Sequence, residues 1–117
     1  MFNTNIEDLT KTFETLNEEL YDANKDLDSA KCELAQVELD LIVIEYNVTM
    51  ATDFKGLGIT NKEGRTLYIQ NNPEIMELSK KKAQIEGEIS DIKSQIEYKT
   101  NIMKLINRII DYKTMDL

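Results

Sequence analysis

A chain of 117 residues with no His, one Cys and one Pro has room for a single domain and for little covalent or metal chemistry. It has no imidazole base and no His-ligated metal, and one thiol builds neither a disulfide nor a cysteine-rich zinc site, so no cofactor is expected. With 41% hydrophobic and 31% charged side chains and four Gly, the composition excludes collagen-like and disordered chains, and the net charge is −8.

The first 50 residues carry the clearest pattern. A seam starts at Phe2 and runs Ile6, Leu9, Phe13, Leu16, Leu20, Ala23, Leu27, Ala30, Leu34, Val37, Leu41, Ile44, Val48 and Ala51. The spacing alternates four and three without a slip, which over this length means a coiled-coil helix. Thr4-Asn5-Ile6-Glu7 reads as a capping box with Thr4 as N-cap, and no Gly or Pro interrupts before Gly56. A long helix is predicted over about 5–52.

A connector follows over about 53–72. Gly56 and Gly58 mark a turn where positive φ is expected. Thr60-Asn61-Lys62-Glu63 is a second capping box, opening a short helix from about Asn61 to Gln70 that Gly64 weakens. Asn72 then caps a second long helix with Pro73 at its first position, predicted over about 73–112. Its seam reads Ile75, Leu78, Lys82, Ile85, Ile89, Ile92, Ile96, Lys99, Met103, Ile106, Ile110, with two lysines set into the apolar row. Gly87 falls on its outer side.

Two seamed helices joined by a compact connector fold back on each other. The predicted fold is all-α, an antiparallel coiled-coil hairpin with a short helix in the connector, forming one domain over 1–117. Second apolar stripes run beside the seams, Cys32, Ala35, Leu39, Ile42, Tyr46, Met50 on the first helix and Tyr98, Ile102, Leu105, Ile109, Tyr112 on the second. Leu39, Ile42, Tyr46, Ile102, Leu105 and Ile109 are therefore self-association candidates, and a homodimer closing a four-helix bundle is expected. The alternative is a wide face wrapping its single partner helix.

The longest strictly apolar run is Leu41-Ile42-Val43-Ile44, far short of a membrane span, and the N-terminus has neither the basic nor the apolar part of a signal peptide. A cytoplasmic chain without membrane contact is expected. Carboxylate pairs such as Glu18 with Glu19, or Asp22 with Asp26, could be drawn as a catalytic or metal site, but a regular helix offers them no cleft, and a solvated face is the simpler reading. No catalytic or metal residue is assigned. Cys32 reads as a small apolar filler on the second stripe.

Charge is more informative. Residues 1–54 hold thirteen acids against three lysines, and residues 55–117 hold nine acids against eleven Lys and Arg. Glu19, Asp26, Glu33 and Asp40 repeat one sign along the flank of the first seam for four heptads. Folding the hairpin about residue 63 brings Lys99 near Asp26 and Asp28, which offsets the row only in part. The row either keeps a helix soluble and in register or faces a basic partner. At the tip, Phe54, Leu57, Ile59, Leu67, Tyr68 and Ile69 either plug the bundle end or form a contact site rimmed by Lys55, Lys62 and Arg65. Phe54, Leu57, Lys62, Arg65 and Tyr68 are the candidate contact residues there.

The stretch Phe54-Lys55-Gly56-Leu57-Gly58-Ile59-Thr60-Asn61, with Arg65 and Leu67-Tyr68-Ile69, resembles small acidic helix-head-helix proteins of Gram-positive phages. Phe54 stands where those proteins more often carry Trp. The family is encoded among early or recombination genes, mostly without an assigned activity, so the resemblance implies a phage protein in a bacterial host and a non-enzymatic role. The expected function is a protein–protein interaction module, most concretely an inhibitor of a host nuclease or anti-phage defence factor that presents its acidic face to a basic surface. Two alternatives stand beside it. One is a recombination or replication accessory touching DNA through Lys55, Lys62, Arg65, Lys80, Lys81 and Lys82, disfavoured by the overall charge. The other is a structural coiled coil in an assembly.

Overall fold

A computed structural model describes residues 5–115. It is all-α, with α1 over Ile6–Ala51, α2 over Lys62–Gln70 and α3 over Pro73–Met115. The fold is an antiparallel helical hairpin with the short α2 in its connector.

Each helix begins on an asparagine. At α1 the Glu7 N–H donates to Asn5 Oδ1 at 2.8 Å and the Leu9 N–H to the Asn5 carbonyl at 2.9 Å, so Asn5 is the cap. The expected cap, Thr4, and the first seam residue, Phe2, lie outside the described residues. At α2 the cap is Asn61, not the first residue of the Thr60–Glu63 box, and its Oδ1 accepts the Gly64 N–H at 2.7 Å. Asn outranks Thr at this position, and here it stands one place nearer the helix. At α3, Asn72 Oδ1 accepts the Glu74 N–H at 3.0 Å and the Ile75 N–H at 3.3 Å, with Pro73 first in the helix as the sequence predicts. Nothing in the sequence of α3 stops it at Tyr112, and it runs on to Met115.

Between α1 and α2 the chain turns on Asp53. Its carboxylate accepts the Gly56 N–H at 3.0 Å and its carbonyl the Leu57 N–H at 3.2 Å. Gly58 has φ +75°, a conformation L side chains rarely adopt, whereas Gly56 stays at ordinary φ. Gly64 is required for space. A Cβ there would lie 2.9 Å from Asn61 Oδ1 and 3.0 Å from Ile59 Cγ2, so this glycine admits the cap that starts α2.

The chain divides into two compact units, one comprising Ala30–Glu88 and the other Met1–Ser29 with Ile89–Leu117. In the first, Ala30, Val37 and Leu41 from α1 are buried along with Ile75 and Ile85 from α3, and Leu34, Ile44, Val48 and Leu78 are half-buried. In the second, Leu9, Ile89 and Ile106 are buried, with Phe13, Leu16, Leu20, Ile96 and Met103 half-buried around them. All are seam positions.

The second unit also sets the register. Lys99 Nζ lies 3.1 Å from Glu19 Oε2, with the lysine side chain 24% exposed and the glutamate 46%. Lys99 therefore meets Glu19 and not Asp26 or Asp28. The expected register is wrong by one heptad, because heptad phase decides which face is buried but leaves the axial offset to the connector.

Candidate interaction surfaces

The acidic row follows from the heptad. Glu19, Asp26, Glu33 and Asp40 recur every seventh residue, so all four flank the α1 seam on the same side. The structure distinguishes them. Glu19 is engaged by Lys99, and half-buried Asp40 accepts a hydrogen bond from Gln36 Nε2 at 2.9 Å, whereas Asp26 and Glu33 are exposed. Glu14, Glu18 and Asp22 are exposed as well, each four residues from the next, and Asp26 continues that spacing. Like charges so placed repel by a few tenths of a kcal/mol per pair (about 0.2–0.5). The free acidic surface is thus centred on residues 14–33, displaced from the row as the sequence suggested it.

At the connector tip some of the expected residues are half-buried and others are exposed. Phe54, Ile59 and Ile69 are half-buried and plug the tip. Phe54 meets Tyr68 edge-on, with ring centroids 5.7 Å apart and an interplanar angle of 83°, and the Arg65 guanidinium lies 6.0 Å from the Phe54 centroid. Leu57, Leu67 and Tyr68 remain exposed, as does Lys62. A shallow cavity of about 410 Å³ opens beside Tyr68, lined also by Val48, Thr52, Asn71 and Pro73. Exposed Arg65 lies over the Phe54 ring, so one member of the basic rim expected from Lys55, Lys62 and Arg65 turns toward the tip itself.

The outer stripe of α1 departs from expectation. Taking about 100° per residue, Leu39, Ile42, Tyr46 and Met50 fall opposite Val37, Leu41, Ile44 and Val48, not beside them. The accessibilities agree, with Leu39, Ile42, Val43, Tyr46 and Met50 between 49% and 69% exposed. A face on the far side of a helix cannot wrap its single partner, so that alternative fails for α1. On α3, Tyr98, Leu105 and Tyr112 are exposed, while Ile102 and Ile109 are half-buried along the flank of the seam. Cys32 is exposed and fills no space within the chain, contrary to its expected role.

One surface escaped the sequence reading. Gln70, Pro73, Met76, Lys80 and Ala83 line a groove of about 750 Å³ along the start of α3. Its signal was present as three-four-three spacing from Pro73 to Ala83, masked because Pro73 reads first as a helix start and Lys80 as part of a basic run.

Among the described residues no three His, Cys, Asp or Glu side chains gather as a metal site, and no helix is long and apolar enough to cross a membrane. Compared with known proteins, the chain matches no protein-family model, no curated protein and no solved structure.

Proposed function

We propose that the chain is a non-enzymatic, phage-type protein–protein interaction module that self-associates and inhibits a basic, nucleic-acid-handling host protein, such as a nuclease or defence factor, through the acidic face of α1. The supporting observation is the exposure of Glu14, Glu18, Asp22, Asp26 and Glu33 on one helix, where, among the described residues, Glu19 alone of the nearby acids is matched by an ion pair from α3. Such a surface steers toward a positively charged channel and competes with a phosphate backbone for it. The exposed Leu57, Leu67 and Tyr68 at the tip add apolar contact area. The phage setting and a bacterial cytoplasm rest on the resemblance of residues 54–69.

The test is capture from bacterial lysate at low and high salt, using the wild type and a variant carrying Glu18→Gln, Asp22→Asn and Asp26→Asn. These substitutions leave the Glu19–Lys99 and Gln36–Asp40 contacts in place. The expected result is a captured protein whose retention drops at least tenfold with either the variant or high salt. Capture indifferent to both would refute the mechanism. Retardation of DNA by micromolar protein at low salt would instead assign the function to the accessory reading through Lys55, Lys62 and Lys80–Lys82.

A further inference from the structure

On α3 the surface turned away from the seam carries an ordered pattern of its own. Taking about 100° per residue, Tyr98, Leu105 and Tyr112 form one line and Asn101, Arg108 and Met115 the next, with three-four spacing throughout. Tyr98, Leu105, Tyr112 and Met115 are between 52% and 81% exposed. Half-buried Ile102 and Ile109 flank these lines on the seam side, and exposed Glu97, Lys104 and Asp111 flank them on the other. Glu97 and Asp111 balance Lys104 and Arg108, so the face is neutral.

An isologous contact needs a surface that complements itself across a two-fold axis. An antiparallel pair of helices sets each flank against the same flank of the partner in reversed order. Centred between Ile106 and Asn107, such a pair brings Lys104 to the partner's Asp111 and Asp111 to the partner's Lys104. The same register sets Ile102 beside the partner's Ile109 and Tyr98 opposite the partner's Met115. The four exposed apolar side chains offer on the order of 400 Å² per copy. Over two copies, with the polar share added, this reaches the lower end of the about 1,200–2,000 Å² of a stable interface. The outer α1 stripe is not self-complementary in this way, since Glu33, Glu38, Asp40 and Glu45 flank it with no base between residues 32 and 50.

We propose that the outer face of α3 over residues 97–115 is covered by the same face of a second copy, running antiparallel. This rests on the self-association proposed above and assigns it a surface, a direction and two reciprocal ion pairs between Lys104 and Asp111.

Charge exchange across the two-fold axis tests this contact. The variants are Leu105→Glu, Lys104→Glu, Asp111→Lys and the last two combined in one chain. All three positions are exposed, and circular dichroism checks that each variant keeps its helix content. Sedimentation equilibrium then measures association. The wild type is expected to dimerise at micromolar concentration, and Leu105→Glu to weaken the dimer about tenfold. Lys104→Glu and Asp111→Lys are each expected to weaken it about threefold, since like charges then meet twice. An equimolar mixture of the two, or the combined variant, regains the wild-type association because opposite charges meet again. Asp111→Lys also reduces the net charge of −8, so general repulsion between copies would predict the opposite sign for it. A monomeric wild type would overturn both this contact and the self-association proposed above. A dimer indifferent to Leu105→Glu, or single exchanges that the mixture does not rescue, would overturn this contact alone and leave self-association to another face. None of these outcomes bears on capture by Glu18, Asp22 and Asp26, which lie on α1.

Discussion

Two glycines in this chain serve opposite ends, and the contrast can be measured. Gly87 has no atom within 4 Å of the position a Cβ would take, so Gly87→Ala is expected to stabilise the fold by roughly 0.5–1 kcal/mol through helix propensity and a less flexible unfolded chain. At Gly64 the same methyl would press on Asn61 Oδ1, and the lost cap outweighs the propensity gain. Gly64→Ala is expected to destabilise by about 1 kcal/mol, close to the effect of Asn61→Ala. Thermal melts of the three variants check both signs, and a Gly64→Ala protein melting above the wild type would contradict the steric account. The sequence reading saw Gly64 only as a poor helix residue, because a close approach by the preceding cap cannot be read from composition.

Among the elements, the seams were the most legible part of the fold. Every α1 seam position from Ile6 to Val48 is buried or half-buried, as is every α3 position from Ile75 to Ile110. Burial follows from periodicity alone. Ala51 is exposed, since the seam ends where Asp53 turns the chain. The outer α1 stripe was legible too, but its angle to the seam was misjudged, and a three-four rhythm by itself does not report that angle. Lys82 is half-buried within the α3 seam. Lys82→Leu is expected to raise stability by about 1 kcal/mol and to broaden the distribution of oligomeric species, since polar seam residues cost stability and specify partners. Calorimetry and size exclusion read the two effects separately. The Glu19–Lys99 pair contributes less. Its glutamate is nearly half exposed, and Glu19→Gln is expected to cost no more than about 0.5 kcal/mol.

The charge of the whole molecule has a consequence for stability. Thirteen of its acids lie in the first 54 residues, and the four spaced from Glu14 to Asp26 oppose one another along one helix. Added salt screens that repulsion more than it weakens the long-range Glu19–Lys99 ion pair, so the melting temperature is expected to rise from low to moderate sodium chloride. A melting temperature that falls with salt would show that the acidic side chains are compensated. Partner identity was never legible in the sequence, since charge and apolar patterning specify a class of surface and not a molecule. The division of labour among the acids was hidden for a different reason, because it depends on a register that the connector sets.

That register has a further implication. Glu19, Asp26, Glu33 and Asp40 repeat every seventh residue, so a slide of α3 by one heptad would hand Lys99 from one carboxylate to the next. The row offers an equivalent partner at each step. Loss or gain of seven residues in each arm would therefore preserve both the seam and the ion pair, leaving arm length free to vary while the head stays constant.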